Sequence, residues 1–149
     1  MTPLRRRMLY AISFESLGIL VAAVSLRLMS NASTSDSLAL AVIGASLALA
    51  WSFVFNAGFE AWEARQSVKG RSLRRRAAHA LLFEGGLTLL LVPVMAWWLD
   101  TGLLQAMAYE ATLIAVFIAY TYLFTWGFDL LFGLPESARP SARPTASLL

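Results

Sequence analysis

The composition of this 149-residue chain excludes an ordinary soluble domain, because 58% of its residues are hydrophobic, only 14% are charged and the mean hydropathy is +0.65. A soluble domain of this length could not bury so much apolar side chain, so we expect lipid to surround much of it. The chain has no cysteine and one histidine, which excludes disulfides and common zinc sites, and no cofactor is predicted. The formal net charge of +3 arises from basic residues that fall in clusters between the apolar segments and at the N terminus. No nucleic-acid partner is predicted.

Four apolar segments reach the roughly 20 residues that cross a hydrocarbon core of about 30 Å. The predicted spans are residues 8–29, 38–62, 77–99 and 103–133. They predict an all-α integral membrane protein of four transmembrane helices. In chain order its parts are a basic N-terminal segment (1–7), a first hairpin (8–62), a basic cytoplasmic loop (63–76), a second hairpin (77–133) and a disordered, proline-rich tail (134–149).

The distribution of basic residues predicts the orientation in the membrane. The connection between the first two spans, residues 30–37, has no Lys or Arg. The connection between the second and third spans has Arg65, Lys69, Arg71, Arg74, Arg75 and Arg76. By the positive-inside rule this second connection is cytoplasmic, and with an even number of spans both termini lie on the same side.

An internal repeat appears when the chain is shifted by 69 residues. In the first helix of each hairpin, the shift places Arg7, Ala11, Phe14 and Glu15 on Arg76, Ala80, Phe83 and Glu84. In the second helix it places Phe55, Gly58, Phe59 and Glu60 on Phe124, Gly127, Phe128 and Asp129. Each copy contains two spans, so the copies enter the membrane in the same orientation and form a parallel tandem repeat of a helical hairpin.

Glu15 and Glu84 lie about two turns inside the first and third spans. A carboxylate in the bilayer costs a few kcal/mol on insertion scales, so it must be protonated, paired or facing water. Such a group can exchange a proton for a cationic ligand. The alternative is an interhelical hydrogen bond or ion pair that only stabilises the bundle.

Polar and aromatic side chains recur in the second and fourth helices, on faces expected to meet other helices or a cavity. With Tyr10 and His79 we expect them to line a substrate pathway. They are Trp51, Ser52, Asn56, Tyr120, Thr121 and Thr125. His79 is interpreted either as a proton relay to Glu84 or as a polar anchor.

Three further carboxylates are each open to two interpretations. Glu60 and Asp129 lie near the cytoplasmic ends of their helices, where each is either a solvated interfacial group or part of ligand access. Glu110 lies near the outer end of the fourth helix and has Ala41 as its repeat partner. It is either an exit-side group or a contact within the bundle.

These residues form motifs that resemble those of a known family. The first helices contain Arg7-x-x-Tyr10-Ala11-x-x-Phe14-Glu15 and Arg76-x-x-His79-Ala80-x-x-Phe83-Glu84. The second helices contain Trp51-Ser52-x-x-Phe55-Asn56-x-x-Phe59-Glu60 and Tyr120-Thr121-Tyr122-x-Phe124-Thr125-x-x-Phe128-Asp129. All four resemble the motifs of the proteobacterial antimicrobial compound efflux family. Tyr10, Ser52, Glu60 and Thr125 stand where that family usually has His, Asn, Asp and Asn.

The resemblance implies a proton-coupled exporter in the bacterial inner membrane, acting on cationic biocides such as chlorhexidine or on short-chain diamines. It implies Glu15 as the coupling group, with Glu84, Glu60 and Asp129 as further candidates. Arg7, Phe14, Arg76 and Phe83 are then structural members of the motifs. The expected partners are protons, a small cation, the lipid bilayer and a second copy of the chain, since four helices leave little room for a sealed pathway.

Two other classes of function compete with transport. In the first, the chain is a non-transporting membrane bundle or lipid-binding adaptor, and Glu15 and Glu84 only pair helices. In the second it is a membrane-embedded enzyme, which has less support because the sequence shows no nucleophile arrangement or metal-ligand cluster. Movement of protons that depends on substrate separates a transporter from both.

The orientation is testable with reporter fusions. Fusions at the C terminus and near Lys69 should report the cytoplasm, and a fusion near Ser33 should not, because basic residues flank one side of the spans only. A cytoplasmic signal from the Ser33 fusion would contradict the predicted topology.

Overall fold

In the computed structural model, which describes residues 2–66 and 73–133, the chain folds into four long helices. They are α1 (Pro3–Met29), α2 (Thr34–Ala64), α3 (Leu73–Trp98) and α4 (Leu103–Phe132). Each is long and apolar enough to cross a membrane. The predicted all-α architecture with four spans is confirmed.

The first three helices begin four or five residues before the predicted spans. Helical hydrogen bonds do not require apolar side chains, so the arginines that flank a span can form its first turns. At α1, the Thr2 hydroxyl accepts a hydrogen bond from the Arg5 backbone N–H at 3.4 Å and caps the helix. Residues 67–72 of the predicted basic loop and the predicted disordered tail lie outside the described residues.

Short turns join α1 to α2 and α3 to α4. The Ser33 hydroxyl caps α2 by accepting a hydrogen bond from the Asp36 backbone N–H at 3.1 Å. In the other turn, Asp100 has a φ of +47°, a left-handed conformation that Asp and Asn tolerate better than most residues. We call this end of the bundle the turn end, and the opposite end, where α1 begins and α4 finishes, the terminal end.

The four helices form a ring in which each helix packs against two neighbours. α1 contacts α2 and α4, and α3 contacts the same two helices. Among the described residues, the diagonal pairs α1 with α3 and α2 with α4 make no close backbone approach. The two first helices of the repeats therefore face each other across the centre of the bundle.

The tightest packing lies toward the turn end. All four helices contribute small or aliphatic side chains to a buried cluster of Ala22, Ala23, Leu26, Leu40, Ala41, Val92, Met95 and Ala106. Small residues allow membrane helices to approach closely where no water is available to drive association. Large apolar side chains such as Leu28, Leu89 and Leu131 remain exposed on the outside, as expected for a surface that contacts lipid. This core fills the turn end of the bundle and leaves a cavity between the helices toward the terminal end.

Candidate functional site

A cavity of about 990 Å³ occupies the centre of the bundle, adjacent to this core. Its volume is at the upper end of the range of about 300–1,000 Å³ that is common for ligand sites. All four helices line it, mostly with Leu, Ile, Ala and Gly residues. Four carboxylates also line it: Glu15, Glu84, Glu110 and Asp129. The site is thus an apolar chamber with acidic groups at several levels.

Glu15 and Glu84 occupy equivalent positions of the two repeats and both line the cavity. Glu15 is exposed and Glu84 is half-buried. Within residues 2–66 and 73–133, neither carboxylate has a hydrogen-bond or ion-pair partner. A carboxylate in an apolar chamber attracts a cation more strongly than it would in water, because the surroundings screen the charge less. Both glutamates are therefore available to a proton or a cationic ligand.

Asp129 lines the terminal end of the cavity, but its charge is already paired. Arg6 donates a hydrogen bond to Asp129 Oδ1 at 2.6 Å and another to the Gly133 carbonyl at 2.9 Å. The Arg6 guanidinium also lies 5.2 Å from the centre of the Phe128 ring. Asp129 therefore joins α4 to α1. Glu60, its repeat counterpart, is exposed and does not line the cavity.

Sequence reasoning missed Arg6 and singled out Arg7, which is exposed. A signal for Arg6 is present in the sequence, because Arg6, Tyr10 and Phe14 recur every four residues and share one face of α1. That face is the one that meets α4.

The motif residues of α1 bind α4, the second helix of the other repeat. Tyr10 Oη lies 2.8 Å from Thr125 Oγ1. Tyr120 Oη donates a hydrogen bond to the Phe14 backbone carbonyl at 2.6 Å. The Tyr10 ring makes edge contacts with Phe124 at 5.3 Å and with Phe128. Hydrogen bonds and ring contacts thus connect the two repeats along this face.

The same contacts recur between α3 and α2, shifted by 69 residues. His79 Nε2 lies 3.0 Å from Asn56 Oδ1, a hydrogen bond that requires a proton on this nitrogen because an amide oxygen only accepts. Trp51 Nε1 donates to the Phe83 backbone carbonyl at 2.9 Å. The His79 ring makes edge contacts with Phe55 at 5.1 Å. In both copies, the first helix of one repeat is bound to the second helix of the other.

This pairing places the predicted pathway residues in two groups. Thr121 and Thr125 line the cavity. Five others lie at the helix interfaces beside it, namely Tyr10, Trp51, Asn56, His79 and Tyr120, while Ser52 contacts Asn56 within α2. Their polar atoms bond to neighbouring residues, with the Asn56 amide also donating to Ser52 Oγ at 3.3 Å. That this second group contacts a substrate remains a prediction.

The two copies of this interface differ in the size of one ring. Trp51 corresponds to Tyr120, and Gly86 corresponds to Leu17. A Cβ atom added at Gly86 would fall inside the van der Waals radius of the Trp51 indole, whereas a Cβ added at the neighbouring Gly85 would meet open space. Gly86 therefore makes room for the larger ring.

Gly86→Ala should destabilise the α2–α3 interface by about 1–3 kcal/mol, because Trp51 must move from its hydrogen bond with Phe83. The measurement is the thermal unfolding temperature of purified protein in detergent. Gly85→Ala is the matched control and should unfold at the wild-type temperature or above it. Adding Trp51→Tyr to Gly86→Ala should restore part of the loss, and equal unfolding temperatures for the two single variants would contradict this packing.

The fold and its central cavity define a multi-pass membrane protein with an internal chamber suited to a small molecule. The sequence profile of the family described as BTP, chlorhexidine efflux transporter, matches residues 2–65 and again residues 71–134. The chain belongs to this family, whose members are transporters, and this confirms the family resemblance of its motifs. The two matches begin 69 residues apart, at 2 and 71, which confirms the tandem repeat.

Three relatives carry the name short-chain diamines transporter. The protein of Vibrio parahaemolyticus is 34% identical over 83% of this chain and 87% of its own length. The protein of Acinetobacter baumannii is 30% identical over 84% of this chain and 86% of its own length. The protein of Acinetobacter baylyi is 29% identical over 85% of this chain and 89% of its own length. No solved structure matches this chain.

Proposed function

We propose that this protein is a proton-coupled antiporter that exports small organic cations, either chlorhexidine-like biocides or short-chain diamines, across the bacterial inner membrane. The observation that carries the proposal is the central apolar chamber with the unpaired carboxylates of Glu15 and Glu84. The family and the names of the relatives support export of such compounds. The chamber also favours a cationic ligand, because unpaired carboxylates line it.

In this proposal, coupling is competition for the Glu15 carboxylate. The deprotonated carboxylate binds a cation from the cytoplasmic side. After the site becomes accessible from outside, a proton displaces the cation and neutralises the glutamate for return. One carboxylate that cannot hold both ligands at once is sufficient to couple the two movements. The proton gradient then drives export.

The proposal includes a homodimer in the membrane, with both termini of each chain in the cytoplasm. Several residues that line the cavity are also widely accessible, including Leu49 at 62%, Ile118 at 69% and Tyr122 at 72% exposed. One chain therefore does not enclose the chamber on every side. A second copy against this open wall would separate the chamber from lipid.

Glu15→Gln should insert and fold but lose transport. Glutamine keeps the size and hydrogen-bonding capacity of protonated glutamic acid but cannot release a proton, so it represents only one of the two states that antiport requires. The measurements are substrate-driven proton movement in proteoliposomes and cell resistance at matched expression. Retained transport in Glu15→Gln would overturn the coupling role. A lower unfolding temperature with transport intact would instead favour a structural role for Glu15 that takes no part in transport.

The pH dependence of binding tests the same competition without a transport assay. Because one proton competes with one cation for the Glu15 carboxylate, apparent affinity of the wild-type protein for a permanently charged organic cation should rise with pH, by up to about tenfold per pH unit. The dependence should disappear in Glu15→Gln. A dependence of the same size in both proteins would assign the titrating group elsewhere.

If Glu84 is only the structural counterpart of Glu15, Glu84→Gln should reduce stability or assembly more than proton coupling; Glu84 is half-buried, whereas Glu15 is exposed. Glu15→Gln is its matched counterpart in the other repeat. The comparison uses the unfolding temperature and the proton-to-substrate ratio of both variants. Equal loss of coupling in well-folded Glu84→Gln protein would show that both repeats carry the proton.

A further inference from the structure

Glu110 is a cavity-lining carboxylate that the coupling scheme does not use. It lies on α4, lines the cavity and is only 4% exposed. Among the described residues it has no hydrogen-bond or ion-pair partner. A buried, unpartnered carboxylate is expensive in a membrane and is normally retained for function.

The position of Glu110 is also a point where the repeat departs from symmetry. Its counterpart is Ala41, a buried residue of the turn-end core. The coupling carboxylates come in a symmetric pair, whereas Glu110 occurs once. The extra charge therefore marks one end of the chamber and gives the cavity an acidic group that its internal symmetry does not require.

Glu110 lies at a different level of the chamber from Glu15. Tyr120 of α4 bonds to Phe14 and so marks the level of Glu15. Glu110 is ten residues from Tyr120 toward the turn end, which corresponds to about 15 Å of helical rise. Two ammonium–carboxylate contacts of about 2.8 Å span part of this rise, and the ligand spans the rest. Between the two levels the wall is apolar and includes Leu87, Leu91 and Leu113.

We propose that Glu110 binds the second cationic group of the substrate, so that the chamber selects linear dications over monocations of the same length. One charged end lies at the level of Glu15, the hydrocarbon chain contacts the aliphatic wall, and the other end pairs with Glu110. This inference rests on the proposed function, since it assigns the same chamber to an organic cation.

The test is binding of 1,5-diaminopentane and n-pentylamine to the full chain in lipid nanodiscs, measured by calorimetry. The wild-type protein should bind the diamine more tightly. Glu110→Gln should weaken diamine binding roughly tenfold or more, the loss of one charged hydrogen bond, and leave monoamine affinity unchanged. Asp100→Asn removes a carboxylate at the same end of the bundle, outside the cavity and at a φ that Asn tolerates, and should alter neither affinity.

A purely structural Glu110 predicts that both affinities fall together or stay unchanged, and either result would overturn the inference while the wild-type protein still binds cations. A wild-type protein that binds neither amine would overturn the proposed function as well. If Glu110→Gln does not fold, Glu110→Asp is the second variant to measure. It withdraws the carboxylate by one methylene, so the length of the diamine bound most tightly in a length series should change, and an unchanged optimum would contradict the assignment.

Discussion

The structure depends on the satisfaction of polar groups across the boundary between the two repeats. Hydrocarbon offers no hydrogen bonds, so the polar motif side chains at the helix interfaces need protein partners. Tyr10, with Thr125, and His79, with Asn56, find theirs on the second helix of the other repeat. The hairpins are consequently joined along two equivalent faces, and the two first helices are held apart. The chamber exists because the bonds run around the ring and not across it.

Within this symmetric frame, the differences between the copies carry the specific chemistry. Gly86 accommodates Trp51 at one interface, while Leu17 and Tyr120 occupy the equivalent positions at the other. Glu110 adds a carboxylate where Ala41 only packs. Export has a direction, and a perfectly duplicated chamber would present the same groups from both repeats. Divergence at a few positions makes the chamber asymmetric without altering the bonds that hold the bundle together.

Much of the fold was predictable from local pattern. Four apolar segments define four spans, because the bilayer sets one length for all of them. The 69-residue shift identifies the duplication and pairs Glu15 with Glu84 from the sequence alone. Helix starts were less predictable, since α1 extends back to Pro3 through arginines that an apolar span would exclude. A hydropathy pattern indicates which residues contact lipid, whereas a helix ends where its backbone hydrogen bonds are capped.

The sequence by itself determined that lipid surrounds the chain, how many helices it forms, the repeat, and the position of each carboxylate along its helix. All of these follow from composition and spacing along one chain. Only the tertiary structure decided which polar groups are bonded and which are free. Tyr10 and His79 share motifs with Glu15 and Glu84, yet their polar atoms are used at interfaces while the glutamates face the chamber. The burial of Glu110 was likewise undecided in sequence. Which face of a helix meets a neighbour is set by side-chain fit between segments far apart in the chain, and periodicity within one helix does not specify that fit.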